Sequence, residues 1–458
     1  MSETKQRGPR PAQVDPRVLC PWSLARPWAA GRIVAWCLAA GSWCSLAIGA
    51  PAPIHAQDWL QWGGAGRDFR VKSDVRLATH WPKDGPPVVY ERALGSGYSA
   101  VLVAGDRLYT GYHDGTHEAI VALDAASGQT LWQRPIASQY RESHVLQFGK
   151  GPNATPLVVG DRLFAVSFGG RAYALDTADG RVLWQRDLVA DFGATVQQFG
   201  YAAAPIAESD PARGDFVILP LGGEQHGAVG LRQADGRAVW TTPPFAVSYA
   251  SPMAIDVEGE RQLVFMAPTE VLAVRLADGA IRWRHPHANR FRVNCAMPVW
   301  NAAHQTLFVT SQADAGSRVL HLAHREGGMR VDQLTVAPRV KMFHNDAILM
   351  GDVIYGASDS MLVAYDLSRG AILWRERGYP EARLVEAGGR GFLLDENGML
   401  SLATLSPAGV TLHGRMQVLE KPAWTPPTLA GGRLYLRDTR KLVVLDVAAA
   451  RAAKRPQR

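Results

Sequence analysis

The chain has 458 residues, of which 47% are hydrophobic and 20% charged, enough to bury a large core and too apolar for a disordered chain. Its net charge of +7 sits at the ends: six bases against two acids lie within residues 1–56, and Arg451, Lys454, Arg455 and Arg458 close the chain, leaving the body near −1. A near-neutral body with bases at its ends does not look like a nucleic-acid binder, which needs a basic face on the fold itself.

In chain order, the first segment is a basic flank ending at Arg32, followed by the apolar run 33–50 and then Pro51, Pro53 and Ile54-His55-Ala56. Residues 1–56 read as a secretory signal peptide. The apolar run is just long enough for an uncleaved membrane anchor, but Gly and Ser dilute it and prolines end it. Either reading exports the body, to the periplasm or an equivalent compartment. Cys20, Cys37 and Cys44 lie in this leader, and none follows the Leu-small-small pattern of a lipoprotein site. Only Cys295 remains, so neither an internal disulfide nor a cysteine metal cluster is expected.

Beyond the leader a phrase repeats. Ala122-Leu123-Asp124 leads through Gly128 to Trp132, and Ala174-Leu175-Asp176 through Gly180 to Trp184. Looser copies pair Gly236 with Trp240, Gly279 with Trp283 and Gly370 with Trp374, the Trp always four residues after the Gly. The tryptophans are 52, 56, 43 and 91 residues apart, and the double interval implies a degenerate copy near Gly327-Gly328. Gly-Asp pairs between apolar runs (Gly105-Asp106, Gly160-Asp161, Gly351-Asp352) precede the phrase and read as hairpin turns. One repeat therefore holds four short strands, the signature of a propeller blade. The Gly supplies a left-handed turn, the Asp accepts N–H bonds within it, and the Trp docks on the neighbouring blade with its N–H on a carbonyl there. Arg232 and Arg275, where the phrase has Asp, read as drift.

The fold class predicted is all-β: an eight-bladed propeller of four-stranded antiparallel blades over residues 57–447. The last strands, up to Asp446, lack a Trp strand, and the segment after Asp84-Gly85 supplies one with Tyr90 near the Trp position. An N-terminal strand thus closes the last blade. Residues 448–458 form a basic tail, expected to fray in solvent. A monomer is expected, touching membrane at most through the leader or this tail.

Ala-x-Asp-x-x-x-Gly-x-x-x-Trp resembles the docking motif of the pyrroloquinoline-quinone (PQQ)-type repeat. The opening Trp59-Leu60-Gln61-Trp62-Gly63-Gly64-Ala65-Gly66-Arg67-Asp68 is similar to that of the non-dehydrogenase members. The resemblance implies eight blades, as in quinoprotein alcohol dehydrogenases and the BamB-like scaffolds of outer-membrane assembly. The dehydrogenases' adjacent cysteines, metal-ligand set and Cys-x-x-Cys-His haem signature are not found here. The reading that follows is an exported, non-enzymatic scaffold presenting its face or axial funnel to a protein or peptide, with no cofactor, catalytic residue or metal ligand assigned. The alternatives are a PQQ- and calcium-dependent oxidoreductase, and a small-molecule or carbohydrate binder.

Loops joining one blade's outer strand to the next blade's inner strand converge on the axis. They carry Tyr98, His144, Phe148, Lys150, Tyr201, Tyr249, Asn294, His344, Asn345 and Trp424, which either form a ligand pocket or fill a blind channel. Neighbours in His344-Asn345-Asp346 point to opposite faces of a strand and cannot share one ligand. His285-x-His287 reads as a surface pair.

Overall fold

The computed structural model describes residues 58–72 and 75–449; the leader and the basic tail lie outside the described residues. Eight sheets follow one another along the chain. Blade 1 comprises Leu102–Ala104, Arg107–His113, Glu118–Asp124 and Thr130–Ile136, and blades 2 to 7 repeat this order between Leu157 and Gln417. Blade 8 holds Thr428–Ala430, Arg433–Arg437 and Lys441–Asp446, and its outer strand is the early segment Val88–Ala93, antiparallel to Lys441–Asp446 with Tyr90 opposite Val444. Val444 corresponds to Ala122, the partner of Trp132, so Tyr90 does occupy the Trp position. The predicted closure is therefore present. Among the described residues one short helical turn, Leu188–Phe192, interrupts the strands, and no helix is long and apolar enough to cross a membrane.

Every outer strand carries a β-bulge one residue before the Trp position, from Leu131 in blade 1 to Val89 in blade 8. A bulge twists an edge strand and re-aims the next side chain. Here it turns the ring toward the following blade. The Trp132 indole lies over Gly180, where a Cβ would come within 2.5 Å of it, and Trp184 lies likewise over Gly236, at 2.7 Å. With φ near +70° at both positions, glycine is demanded twice: by the turn and by the ring seated on it.

Trp132, Trp184 and Trp374 donate to Thr177 O (3.0 Å), Gln233 O (2.9 Å) and Ser406 O (2.8 Å) of the next blade, as the repeat predicts. Two indoles depart from that expectation. Trp283 donates to Gln262 Oε1 of its own blade (2.9 Å). Trp240 Nε1 is buried without a partner.

The degenerate copy proves to be blade 5, with Thr335 at the Trp position. In blade 7 that position is Gly414, and the missing ring comes from elsewhere in the chain. Trp81, 9% exposed, sits so close that a Cβ on Gly414 would meet its Cβ at 2.8 Å. Its ring lies 6.2 Å from Phe392, much as Trp132 lies 5.9 Å from Tyr109. Arg232 and Arg275 are more than drift: each pairs with the Asp three residues on, Asp235 and Asp278, holding the turn with the charges exchanged.

Candidate functional site

The axis, lined by the inner strands, is occupied by the segment from Trp59 to Val71. Trp59 and Val103 exchange backbone hydrogen bonds on blade 1 (2.8 and 3.0 Å), and Leu60 O accepts from Val158 N of blade 2 (2.8 Å). Arg67, almost fully buried, donates to Pro205 O (3.2 Å) and Pro252 O (3.1 Å) at the entries of blades 3 and 4. Arg70–Val71 adds a parallel strand to the inner edge of blade 7. The opening motif is thus an axial plug that touches five blades. Arg67 holds φ +52°, a left-handed conformation that residues with a Cβ adopt only when their surroundings impose it.

At the loop end of the axis, Tyr98, His344 and Trp424 come together as the sequence suggests. Trp424 is central, its ring 5.5 Å from Tyr98, 4.9 Å from His344 and 5.3 Å from Phe148. Phe343 stacks on His344 at 4.6 Å, and Phe148 reaches Tyr249 through Phe199. Tyr98 Oη donates to Phe148 O at 2.7 Å. The result is a cap of half-exposed rings, with Phe148 40% exposed.

The remaining candidates are not part of it. His144 is buried, its Nδ1 accepting from Arg141 N (3.0 Å) and its ring against Phe168. Lys150 lies over Tyr140, and Tyr201 is buried with its Oη donating to Pro220 O (3.0 Å). Asn294 and Asn345 are fully buried and donate to Ala267 O and Ala357 O. Short loops crossing a rim leave backbone groups unpaired, and polar side chains turn inward to meet them.

Beneath the cap lies an ionic cluster that sequence reasoning missed. Arg383, at the head of blade 7's inner strand, is buried and donates to His344 Nδ1 (2.9 Å) and Glu381 O (2.9 Å). Glu396 accepts from Trp424 Nε1 (3.3 Å) and Lys421 Nζ (2.8 Å). Burial pushes the Glu381 carboxyl up to about 7 and Asp346 up to about 6, while burial and the Arg383 charge hold His344 well below its ordinary range. The available signal was a lone Arg opening the apolar strand Arg383–Ala387. The space left between Trp62, Phe69, His344, Asp346 and Arg383 is about 10 Å³, room for one water. A flat quinone with its metal does not fit these residues, and among the described residues no group of three or more His, Cys, Asp or Glu could hold a metal ion.

His287 also departs from expectation: it is fully buried, not on the surface, and its Nδ1 lies 2.7 Å from the Arg318 guanidinium. The two imidazoles are not equivalent, since His285 is only half-buried. Burial, followed by the Arg318 charge, lowers His287 to about 3 from an ordinary 6.5. For a base depressed by folding, the stability is fully present above 6.5 and lost as pH falls toward 3. His287→Gln, which keeps an acceptor for Arg318, is expected to remove about 2–3 kcal/mol of the stability loss between pH 7 and pH 4.5. Urea unfolding of both proteins across that range checks it; parallel pH profiles would refute the assignment.

Comparison with known proteins agrees with this architecture. The family model described as outer membrane protein assembly factor BamB matches residues 81–204 and 118–376. The BamB proteins of Yersinia pestis and Salmonella typhimurium are each 25% identical, over 62% and 74% of this chain and 71% and 84% of theirs. Among solved structures, BamB from Moraxella catarrhalis superposes with a TM-score of 0.55 at 16% identity, covering 80% of this chain and 99% of that one. Quinohemoprotein alcohol dehydrogenase from Comamonas testosteroni superposes with a TM-score of 0.58 at 11% identity, covering 88% and 82%. At such identities the structural likeness speaks for the fold alone. The family model, matching over more than half of the chain, is more specific, and by it this eight-bladed propeller belongs to the BamB family of PQQ-like repeat proteins.

Proposed function

We propose that this chain is an exported, non-enzymatic scaffold of outer-membrane protein assembly, working without a bound quinone and offering its loop face to a protein partner. The observation that carries the reading is the filled axis. With Trp59–Val71 and the Arg383 cluster occupying the channel, the chemistry left to a partner is the aromatic cap and the rim around it. Half-exposed rings with a polar border suit protein recognition, in which aromatic anchors supply most of the binding energy.

The test is removal of the gene from its host, with the folded β-barrel proteins of the outer membrane measured by their heat-dependent gel mobility. Lowered levels restored by the wild-type gene are expected. Unchanged levels, together with quinone-dependent dye reduction by the purified protein, would replace this reading with an oxidoreductase.

A further inference from the structure

The loop face is electrically divided. On the side of blades 4 to 6, Arg290, Arg292 and Arg339 are exposed and Lys341 is half-buried, and none of the four forms an ion pair with a carboxylate among the described residues. Elsewhere cations are commonly matched, as in Arg171–Asp187 and Arg261–Glu208. Asp314 stands beside them, accepts from Arg290 N at 2.8 Å and is held below the usual carboxylate range by that hydrogen bond and by the charges of Arg290 and Lys341. Amid these cations stands Phe291, 54% exposed, with the Arg290 guanidinium 4.8 Å above its ring. Two residues beyond Lys341, Phe343 begins the ring stack that runs through His344 to Trp424. On blades 7 and 8, in contrast, the carboxyl groups of the same face are paired: Glu381 with His344, Asp395 with Arg415, Glu396 with Lys421 and Glu420 with Arg440.

From this division we infer that the rim formed by Arg290, Phe291, Arg292, Arg339 and Lys341 is the docking surface for an acidic, extended segment of the protein partner whose apolar side chains alternate with its carboxylates. The inference rests on the scaffold reading and names the partner's chemistry. Both loops carry cations beside a ring: Arg290 and Arg292 flank Phe291 in one, and Arg339 and Lys341 precede Phe343 at every second residue in the other. An extended strand with acids on one side and apolar groups on the other matches that spacing. An anionic bilayer matches it less well, because a flat surface laid on this face would find the cations of blades 7 and 8, Arg415, Lys421 and Arg440, already paired with carboxylates. Opposite charges across the contact speed encounter and select the partner.

The probe is a ten-residue peptide alternating glutamate and phenylalanine, titrated by fluorescence anisotropy, with a lysine–phenylalanine peptide and phosphatidylglycerol vesicles as comparisons. The acidic peptide is expected to bind, and the double variant R290E/R292E to weaken it by about tenfold or more. Phe291→Ala should weaken binding while leaving its salt dependence in place. Equal binding of the lysine peptide, equal affinity of the double variant, or preference for the vesicles would each overturn the proposal. In the host lacking the gene, the double variant should restore β-barrel levels less than wild type. Full restoration by the variant would refute the docking site alone, whereas failure of the deletion itself to lower those levels would refute the scaffold reading.

Discussion

Replacing Arg437 with methionine is expected to cost about 3–5 kcal/mol of folding free energy, read as a lower urea midpoint. Arg437 lies on the second strand of blade 8, is fully buried, and reaches across into blade 1. It donates to Ser99 O (3.0 Å), Gly111 O (2.7 Å), Gly97 O (2.9 Å), Gly95 O (3.2 Å) and Thr110 Oγ1 (3.0 Å). Burial lowers the guanidinium to about 10, so it remains charged and its carbonyl partners take the place of water. Methionine fills part of the volume but strands several buried acceptors, which is the expensive half of losing a hydrogen bond. Arg437→Lys should recover less than half of the loss, because an ammonium cannot supply the planar fork. The outer side of the same junction is held by Arg433 to Ala125 O (3.1 Å) and Arg92 to Gly128 O (2.6 Å). A loss below about 1 kcal/mol would mean that these and the strand Val88–Ala93 close the ring unaided.

The second large effect is expected at Arg67. Its guanidinium joins the entries of blades 3 and 4 and also reaches Gln61 Oε1 (3.3 Å). Arg67→Ala removes every one of these bonds while leaving the left-handed backbone in place, where alanine gains nothing to offset the strain. A loss of about 3 kcal/mol is expected, concentrated in release of the plug and not in global unfolding. Hydrogen exchange should locate it: the amides of Val103 and Val158, bonded to Trp59 O and Leu60 O, should exchange faster by about a hundredfold or more, while those of blade 6 change little. Unchanged exchange at Val103 and Val158 would show that Trp59–Val71 is held by its apolar packing alone.

The repeat was legible because its constraints are local. A turn demanding φ near +70° selects Gly128 and Gly180, the Asp before it is chosen by N–H groups two and three residues on, and the Trp four residues later follows from strand periodicity. Tyr90 could be placed for the same reason, since a blade short of its outer strand must find one. Trp81 could not. It fills the space over Gly414, more than 300 residues away, and nothing near either residue announces the match.

The axial candidates divide along the same line. Tyr98, His344 and Trp424 meet because all three stand on loops that the blade order itself brings to one end of the axis. His144, Tyr201, Asn294 and Asn345 stand on the same loops but turn inward to backbone carbonyls and amides, a choice made by whichever backbone groups the neighbouring loop leaves unpaired. By itself, then, the amino-acid order determined the blade, the count of eight, the strand that shuts the ring and the end at which aromatic loops gather, since each depends on contacts within a hairpin or between consecutive blades. Only the tertiary structure decided that the channel is stoppered by Trp59–Val71, that Arg383 and Arg437 are buried, and that the rim carries unpaired cations on one side and paired charges on the other. Those outcomes depend on charges and rings brought together from distant blades, and no local spacing encodes them.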